Sequence, residues 1–137
     1  MKILPINSIN TQNTQFKAKF SAKDINHFIE ELEGCDIDTV PKLYTMLDFV
    51  KNLPGQEIKI LESSYRPWYQ LQIDGKSATQ GRYYINAYQA LQDMTVHDKD
   101  SPKKVLSTDK MTKETFLENF YKNSTKTIQD IRNLFKE

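Results

Sequence analysis

The dipeptide Asp74-Gly75 constrains the fold of this chain more than any other feature. A two-residue hairpin loop of type I′ needs positive φ at both central positions, and Asp-Gly is one of the few dipeptides that adopt it readily. The preceding segment, Trp68 to Ile73, alternates between two faces as a strand does. The following segment, Lys76 to Gln80, is polar, which is typical of an edge strand. The middle of the chain is therefore predicted to be a β-hairpin.

Two other stretches alternate between apolar and charged residues with the period of a strand. Glu57 to Leu61 is rich in β-branched residues and supplies a third strand beside the hairpin. Phe16 to Phe20 alternates with lysines, so a short edge strand is predicted there, with Phe16 and Phe20 facing inward. These stretches predict a small antiparallel sheet of about three strands.

Two amphipathic helices are predicted before the sheet. Ala22 to Glu33 follows Ser21, a favoured N-cap residue, and precedes Gly34, which suits a helix end. A second helix is predicted from Val40 to Leu53, because apolar residues recur at helical spacing and Pro54 ends the pattern. Since the connector is short, the two helices are predicted to form an N-terminal αα-hairpin.

The segment after Gly81 fits two structures. Ile85, Tyr88 and Leu91 are spaced as on one face of a helix. Tyr83, Ile85 and Ala87 are spaced as on one face of a strand, so both interpretations stay open.

Beyond Thr112, a favoured N-cap residue, apolar residues again recur at helical spacing. Polar residues 123–125 interrupt the pattern, so residues 112–136 are predicted either as one helix or as two. His97 to Thr108 is polar and is predicted to be a loop. The elements together predict an α+β fold with C-terminal helices packed on one face of the sheet.

The length of 137 residues fits one domain with its own hydrophobic core. Residues 1–15 are rich in Asn, Thr and Gln and lack an apolar period, so they are predicted to be a flexible polar leader. Residues 16–137 are predicted to form the single α+β domain.

Net charge, apolar runs and cysteine content indicate the cell compartment and the class of partner that we expect. The formal net charge is +1, which gives no overall attraction to nucleic acid or to an acidic membrane. No apolar run approaches the ~18 residues of a membrane span, and the N-terminus lacks the apolar core of a secretory signal. Cys35 is the single cysteine and cannot form an internal disulfide. We therefore expect a cytoplasmic protein that does not bind membranes.

The sequence offers no strong catalytic, cofactor or metal motif. Cys35 with His27 or His97 would need to meet in space to act as a nucleophile pair, and the acids beside Cys35 disfavour its thiolate. The acids that follow His97 fail the spacing of a calcium loop, and the 4 glycines are too far apart for a phosphate-binding loop. We therefore predict no catalytic residue, no cofactor and no metal site.

The stretch from Ser63 to Tyr84 contains the only tryptophan of the chain. Tyr69 shares a face with Leu71 and Ile73, so Trp68 is predicted on the opposite, outer face of the hairpin. Aromatic residues beside arginine are typical of protein interfaces and of surfaces that bind single-stranded nucleic acid, and ordinary packing of Trp68 under a helix is the alternative. The predicted partner-binding residues are Tyr65, Arg66, Trp68 and Arg82.

The opening NTQFKAKF, residues 13–20, is similar to the short leaders of small uncharacterised proteins from gut bacteria and their phages that share an N-x-x-F-K-A opening. The resemblance covers about the first 20 residues and implies no activity and no site residues.

These observations favour a non-catalytic protein-interaction or assembly module that binds a protein partner or a second copy of itself. A nucleic-acid-associated accessory protein is the first alternative, although the low net charge counts against it. A small enzyme whose site assembles from residues distant in the sequence is the second alternative.

Overall fold

The structure is a computed structural model that describes residues 18–53, 57–63, 68–79, 81–97 and 111–136. The predicted leader, residues 1–15, lies outside the described residues. The elements in chain order are β1 (Lys19–Phe20), α1 (Ala22–Glu30), α2 (Thr39–Lys51), β2 (Glu57–Glu62), β3 (Tyr69–Ile73), β4 (Lys76–Ser77), α3 (Ala87–Thr95), β5 (Val96–His97), β6 (Met111–Thr112), α4 (Lys113–Lys122) and α5 (Ile128–Leu134). The predicted α+β class is confirmed.

The main sheet has four strands in the order β1-β2-β3-β4. Strands β2, β3 and β4 are antiparallel, as predicted, whereas β1 pairs with β2 in parallel and makes the sheet mixed. A parallel pair needs a long crossover connection, and α1 and α2 supply it here. The strand predicted from Phe16 to Phe20 is present as Lys19–Phe20, while Phe16 lies outside the described residues.

The Asp74-Gly75 turn has the predicted conformation. Asp74 has φ 51° and Gly75 has φ 85°, which is the positive pair that a type I′ loop requires. The Asp74 carboxylate also accepts the backbone N–H of Glu57 at 2.8 Å, which ties the turn to the start of β2. The return strand β4 is an edge strand, as expected, but contains only two residues.

One face of the sheet, here called the inner face, carries the hydrophobic core. Ile58, Leu71 and Ile73 share this face and are exposed by no more than 2%. Helix α3 packs on β3 and also contacts α1 and α2. The helices contribute further buried side chains, among them Phe28, Leu43, Met46, Leu47, Leu91 and Met94.

The two helices before the sheet begin close to their predicted positions. In α1 the Ser21 hydroxyl accepts the N–H of Asp24 at 3.1 Å. The helix ends at Glu30, three residues earlier than predicted, and a turn follows to Gly34 at φ 77°. Both α1 and α2 contact α3. The direct packing of α1 against α2 as an αα-hairpin stays a prediction.

The segment after Gly81 contains elements of both interpretations. Tyr84 forms a single antiparallel bridge with Tyr69, and α3 begins three residues later at Ala87. The helix begins there because the Asn86 side chain accepts the N–H of Gln89 at 2.7 Å as its N-cap.

The C-terminal region contains two helices rather than one. Helix α4 ends at Lys122, and α5 begins after Thr127, whose side chain and backbone exchange hydrogen bonds with Asp130 in a capping box. Strands β5 and β6 form a parallel pair that was not predicted. A polar loop had been expected to begin at His97, which is part of β5. None of the helices among the described residues is long and apolar enough to cross a membrane.

Candidate partner-binding surface

The register of β2 and β3 fixes which side chains lie on the outer face of the sheet. Leu61 lies opposite Gln70. The N–H of Ser63 donates to the carbonyl of Trp68 at 2.9 Å, so the same register continues to this pair. Residues directly opposite each other project to the same side of an antiparallel pair. Trp68 therefore lies on the outer face, opposite to the face that carries the core.

A short extended segment joins the sheet beside Trp68. Tyr84 and Tyr69 exchange both backbone hydrogen bonds, each at 2.7 Å. This register directs Tyr83 and Ile85 to the outer face, where Trp68 already lies. Trp68 is 39% exposed, Tyr83 43% and Ile85 68%. These three residues are called the outer-face patch below.

A hydrogen-bonded turn positions the segment that carries Tyr83. The Ser77 hydroxyl accepts the N–H of Gly81 at 2.7 Å, and the Thr79 hydroxyl donates to the carbonyl of Arg82 at 2.8 Å. Gly81 has φ 82°, a conformation that suits glycine because it has no Cβ. Thr79 is 1% exposed, so this turn is anchored in the body of the protein rather than free in solvent.

Arg82 does not lie beside Trp68. Its guanidinium lies near the hydroxyl of Tyr84 and lowers the pKa of that hydroxyl, which donates to the carboxylate of Asp93 on α3. Burial and the Asp93 carboxylate together raise the pKa of Tyr84 to about 12. The exposed Arg82 guanidinium therefore lies toward the Tyr84 hydroxyl rather than toward the outer-face patch.

A buried carboxylate anchors the other end of the segment. Glu31 follows α1, and its two carboxylate oxygens accept the N–H groups of Ala87 at 2.7 Å and Tyr88 at 2.9 Å. These N–H groups belong to the first turn of α3 and have no partner within the helix. Burial raises the pKa of the Glu31 carboxyl, although the two N–H donors lower it. Residues 83–85 are therefore fixed between the bridge to Tyr69 and the Glu31 cap.

His27 packs beneath this region on the inner face. Its ring meets the ring of Tyr69 edge to face at 4.7 Å between centroids, and its Nδ1 lies 3.7 Å from the Glu62 carboxylate. Burial and the neighbouring acids Glu31 and Glu62 raise the pKa of Tyr69. The arrangement holds Tyr69, and with it the bridge to Tyr84, in one position.

The structure does not bring Cys35 and His27 together as a nucleophile and base. The exposed Cys35 thiol donates to the carbonyl of Glu31 at 3.0 Å, whereas His27 contacts Tyr69 and Glu62. Within the part of the chain that the structure describes, no three His, Cys, Asp or Glu side chains are grouped to hold a metal ion.

The four residues predicted as a site therefore separate. Trp68 is exposed on the outer face and Arg82 lies toward the Tyr84 hydroxyl, while Tyr65 and Arg66 lie outside the described residues. Sequence reasoning left Tyr83 and Ile85 out of the site, although they complete the patch. The available signal was Asn86 followed by Gln89, an N-cap pattern that starts the helix at Ala87 and leaves the preceding residues extended.

Comparisons with known proteins add no relative to this picture. No protein-family model, no curated protein and no solved structure matches the chain.

Proposed function

We propose that this chain is a protein-interaction or assembly module and that the outer-face patch is its partner-binding surface. The observation that carries the proposal is the register of Tyr84 with Tyr69, which places Trp68, Tyr83 and Ile85 on one exposed face. The three residues come from two separate segments of the sequence, and the fold makes them neighbours.

The composition of the patch suits a protein interface. Tryptophan and tyrosine are enriched among the residues that carry most of the binding free energy in interfaces. The backbone beneath Tyr83 and Ile85 is fixed by hydrogen bonds to Tyr69 at one end and by the Glu31 cap at the other. A surface held in this way loses little conformational entropy on binding, which favours affinity.

The charges near the patch favour a protein partner over a nucleic acid. Surfaces that stack nucleobases on aromatic rings also present cations to the phosphates. Arg82 lies near the hydroxyl of Tyr84, and the outer-face Lys59 lies 3.4 Å from the carboxylate of Glu57. The expected partner is a protein that presents complementary apolar side chains.

A photo-crosslinking amino acid in place of Ile85 tests the proposal in cells that produce the protein naturally. The matched control places the same amino acid at Ile37, which is 90% exposed in the connector between α1 and α2. We expect a discrete adduct with one protein, or with a second copy of this chain, from position 85 and not from position 37. Trp68→Ala in the same chain is expected to reduce the yield of that adduct.

Equal adducts from both positions, or an adduct from position 85 that Trp68→Ala leaves unchanged, would contradict the proposal. Sedimentation velocity of the purified protein separates the two kinds of partner. A concentration-dependent dimer that Ile85→Asp abolishes and Ile37→Asp retains would identify a second copy of the chain as the partner.

A further inference from the structure

A second surface, remote in sequence from the outer-face patch, combines an apolar floor with uncompensated positive charge. It is a cleft of about 520 Å³ between the first turn of α1 and the end of α5. This volume falls in the range of small-molecule sites, roughly 300–1,000 Å³. Its floor is formed by Phe20, Ile25 and Phe135 and its rim by Asn26, Arg132 and Lys136.

The floor is preformed and apolar. Phe20 is 8% exposed and Ile25 is 5% exposed, so both are fixed by the core beneath them. The rings of Phe20 and Phe135 meet edge to face with their centroids 5.7 Å apart. An alkyl or aromatic group that lies on this floor loses contact with water without any rearrangement of the core.

The rim is positively charged, and the described part of the chain supplies no carboxylate that pairs with it. Arg132 donates from Nη1 to the Asn26 side-chain oxygen at 3.2 Å, and this partner is neutral. Neither Arg132 nor Lys136 pairs with a carboxylate among the residues that the structure describes, and the described lining includes no acid.

A second cleft, between α2 and α4, shows why these charges matter. It measures about 350 Å³ and is lined by both Asp48 and Lys122. Because its rim carries both a negative and a positive side chain, this cleft favours neither an anionic nor a cationic ligand. The described residues that line the α1–α5 cleft carry charge of one sign, which favours an anion.

We propose that the α1–α5 cleft binds an apolar monocarboxylate. Its carboxylate lies between Arg132 and Lys136, where the guanidinium can offer two parallel N–H donors. Its alkyl chain lies across Phe20 and Phe135. This site is independent of the proposed protein-binding patch, so the failure of either proposal leaves the other intact.

Octanoate is the probe, with 1-octanol and octylammonium as controls of the same chain length. Backbone amide chemical shifts of the full chain report where each compound binds. We expect saturable shifts with octanoate, centred on residues 21–26 and 132–136, and a dissociation constant on the order of millimolar for a ligand of roughly ten non-hydrogen atoms. We expect 1-octanol to bind more weakly than octanoate and octylammonium to give no saturable shift.

Arg132→Gln is the decisive variant, because Arg132 is exposed and glutamine retains a donor for Asn26. We expect it to weaken octanoate binding by about tenfold, the value of one charged hydrogen bond. Lys76→Gln on β4 removes an equivalent exposed charge elsewhere and is expected to leave binding unchanged. Equal binding of the three compounds, no saturation with octanoate, or unchanged binding by Arg132→Gln would each overturn the proposal.

Discussion

The two faces of strand β3 differ in composition: apolar Leu71 and Ile73 lie on the inner face, and polar Gln70, only 6% exposed, lies on the outer face with Gln72. On the inner face Leu71 is fully buried and Ile73 is 2% exposed. On the outer face Trp68, just before the strand, is 39% exposed, and Ile85 beside it is 68% exposed. The inner face stabilises the fold, whereas the large side chains of the outer-face patch remain partly exposed to solvent.

A third group of side chains connects the two faces. Glu31 and Tyr84 are neither core residues nor members of the patch, yet they hold the backbone that positions Tyr83 and Ile85. Their effect on folding should therefore lie between that of a core residue and that of a patch residue. Substitutions in these three groups test the comparison in order of expected size.

Leu71→Ala is expected to have the largest effect. Leu71 is 0% exposed in the centre of β3, and truncation of a buried leucine costs about 2–5 kcal/mol through lost burial and the cavity left behind. Phe28→Ala should fall in the same range, because Phe28 is equally buried and its ring contacts Phe20. Urea denaturation followed by circular dichroism measures both free energies of unfolding.

Ile85→Ala is the matched control for Leu71→Ala, because it removes a similar apolar volume from an exposed position. Its free energy of unfolding should change by no more than about 0.5 kcal/mol. Similar losses for Ile85→Ala and Leu71→Ala would mean that the two faces do not differ as described.

The sequence predicted this contrast because a strand has a period of two. The alternation of Tyr69, Leu71 and Ile73 placed Trp68 on the opposite face, and the Asp74-Gly75 turn fixed the hairpin. A period identifies which side of an element faces the core but not what the element packs against. For that reason the parallel partner of β1 and the pairing of β5 with β6 were not foreseen.

The candidate site was predictable only in part, and for the same reason. Ile85 fits both a helical and a strand period, so its face depended on where α3 begins. Arg82 was grouped with Trp68 because both lie near the hairpin, but it lies near the hydroxyl of Tyr84, which meets its partner Asp93 only after α3 packs. The Glu31 cap joins residues 56 and 57 positions apart, which no local pattern reveals.

Glu31→Ala is expected to have the second largest effect. It leaves the N–H groups of Ala87 and Tyr88 without the carboxylate that accepts them, and loss of an N-terminal cap costs about 1–2 kcal/mol at neutral pH. The free energy of unfolding by urea measures the loss. Glu33 is an exposed glutamate in the turn that follows α1. Glu33→Ala is the control and should leave the free energy of unfolding unchanged.

The pH dependence of Glu31→Gln sharpens this test. Because burial raises the pKa of Glu31, the folded chain binds this proton more tightly than the unfolded chain. The contribution of this group to stability is therefore largest below its ordinary pKa and decreases as the pH rises to the raised value. The difference in unfolding free energy between wild type and Glu31→Gln should therefore change with pH. A difference that stays constant from about pH 4 to about pH 7 would contradict the prediction.

Tyr84→Phe is expected to have a smaller effect, about 1 kcal/mol, because it removes the hydroxyl that donates a hydrogen bond to Asp93. Tyr121→Phe, at an exposed position on α4, is the control and should leave stability unchanged. The pKa of Tyr84 is raised to about 12, so the folded state retains a proton that the unfolded state releases. Wild-type stability should therefore fall as the pH rises towards 12, and Tyr84→Phe should lose part of that decline.

Trp68→Ala is expected to have only a small effect on folding and the clearest effect on binding. Trp68 is 39% exposed on the outer face, so its truncation should change the free energy of unfolding by no more than about 1 kcal/mol. A tryptophan that anchors an interface contributes about 2 kcal/mol or more to a complex, so the same substitution should weaken partner binding by at least roughly thirtyfold.

Iodide quenching of the single tryptophan gives a direct check, because an indole open to solvent is quenched in the free protein and protected in the complex. A ring that iodide does not reach in the free protein, together with a loss of stability as large as that of Leu71→Ala, would assign Trp68 to the core and remove the difference between the two faces.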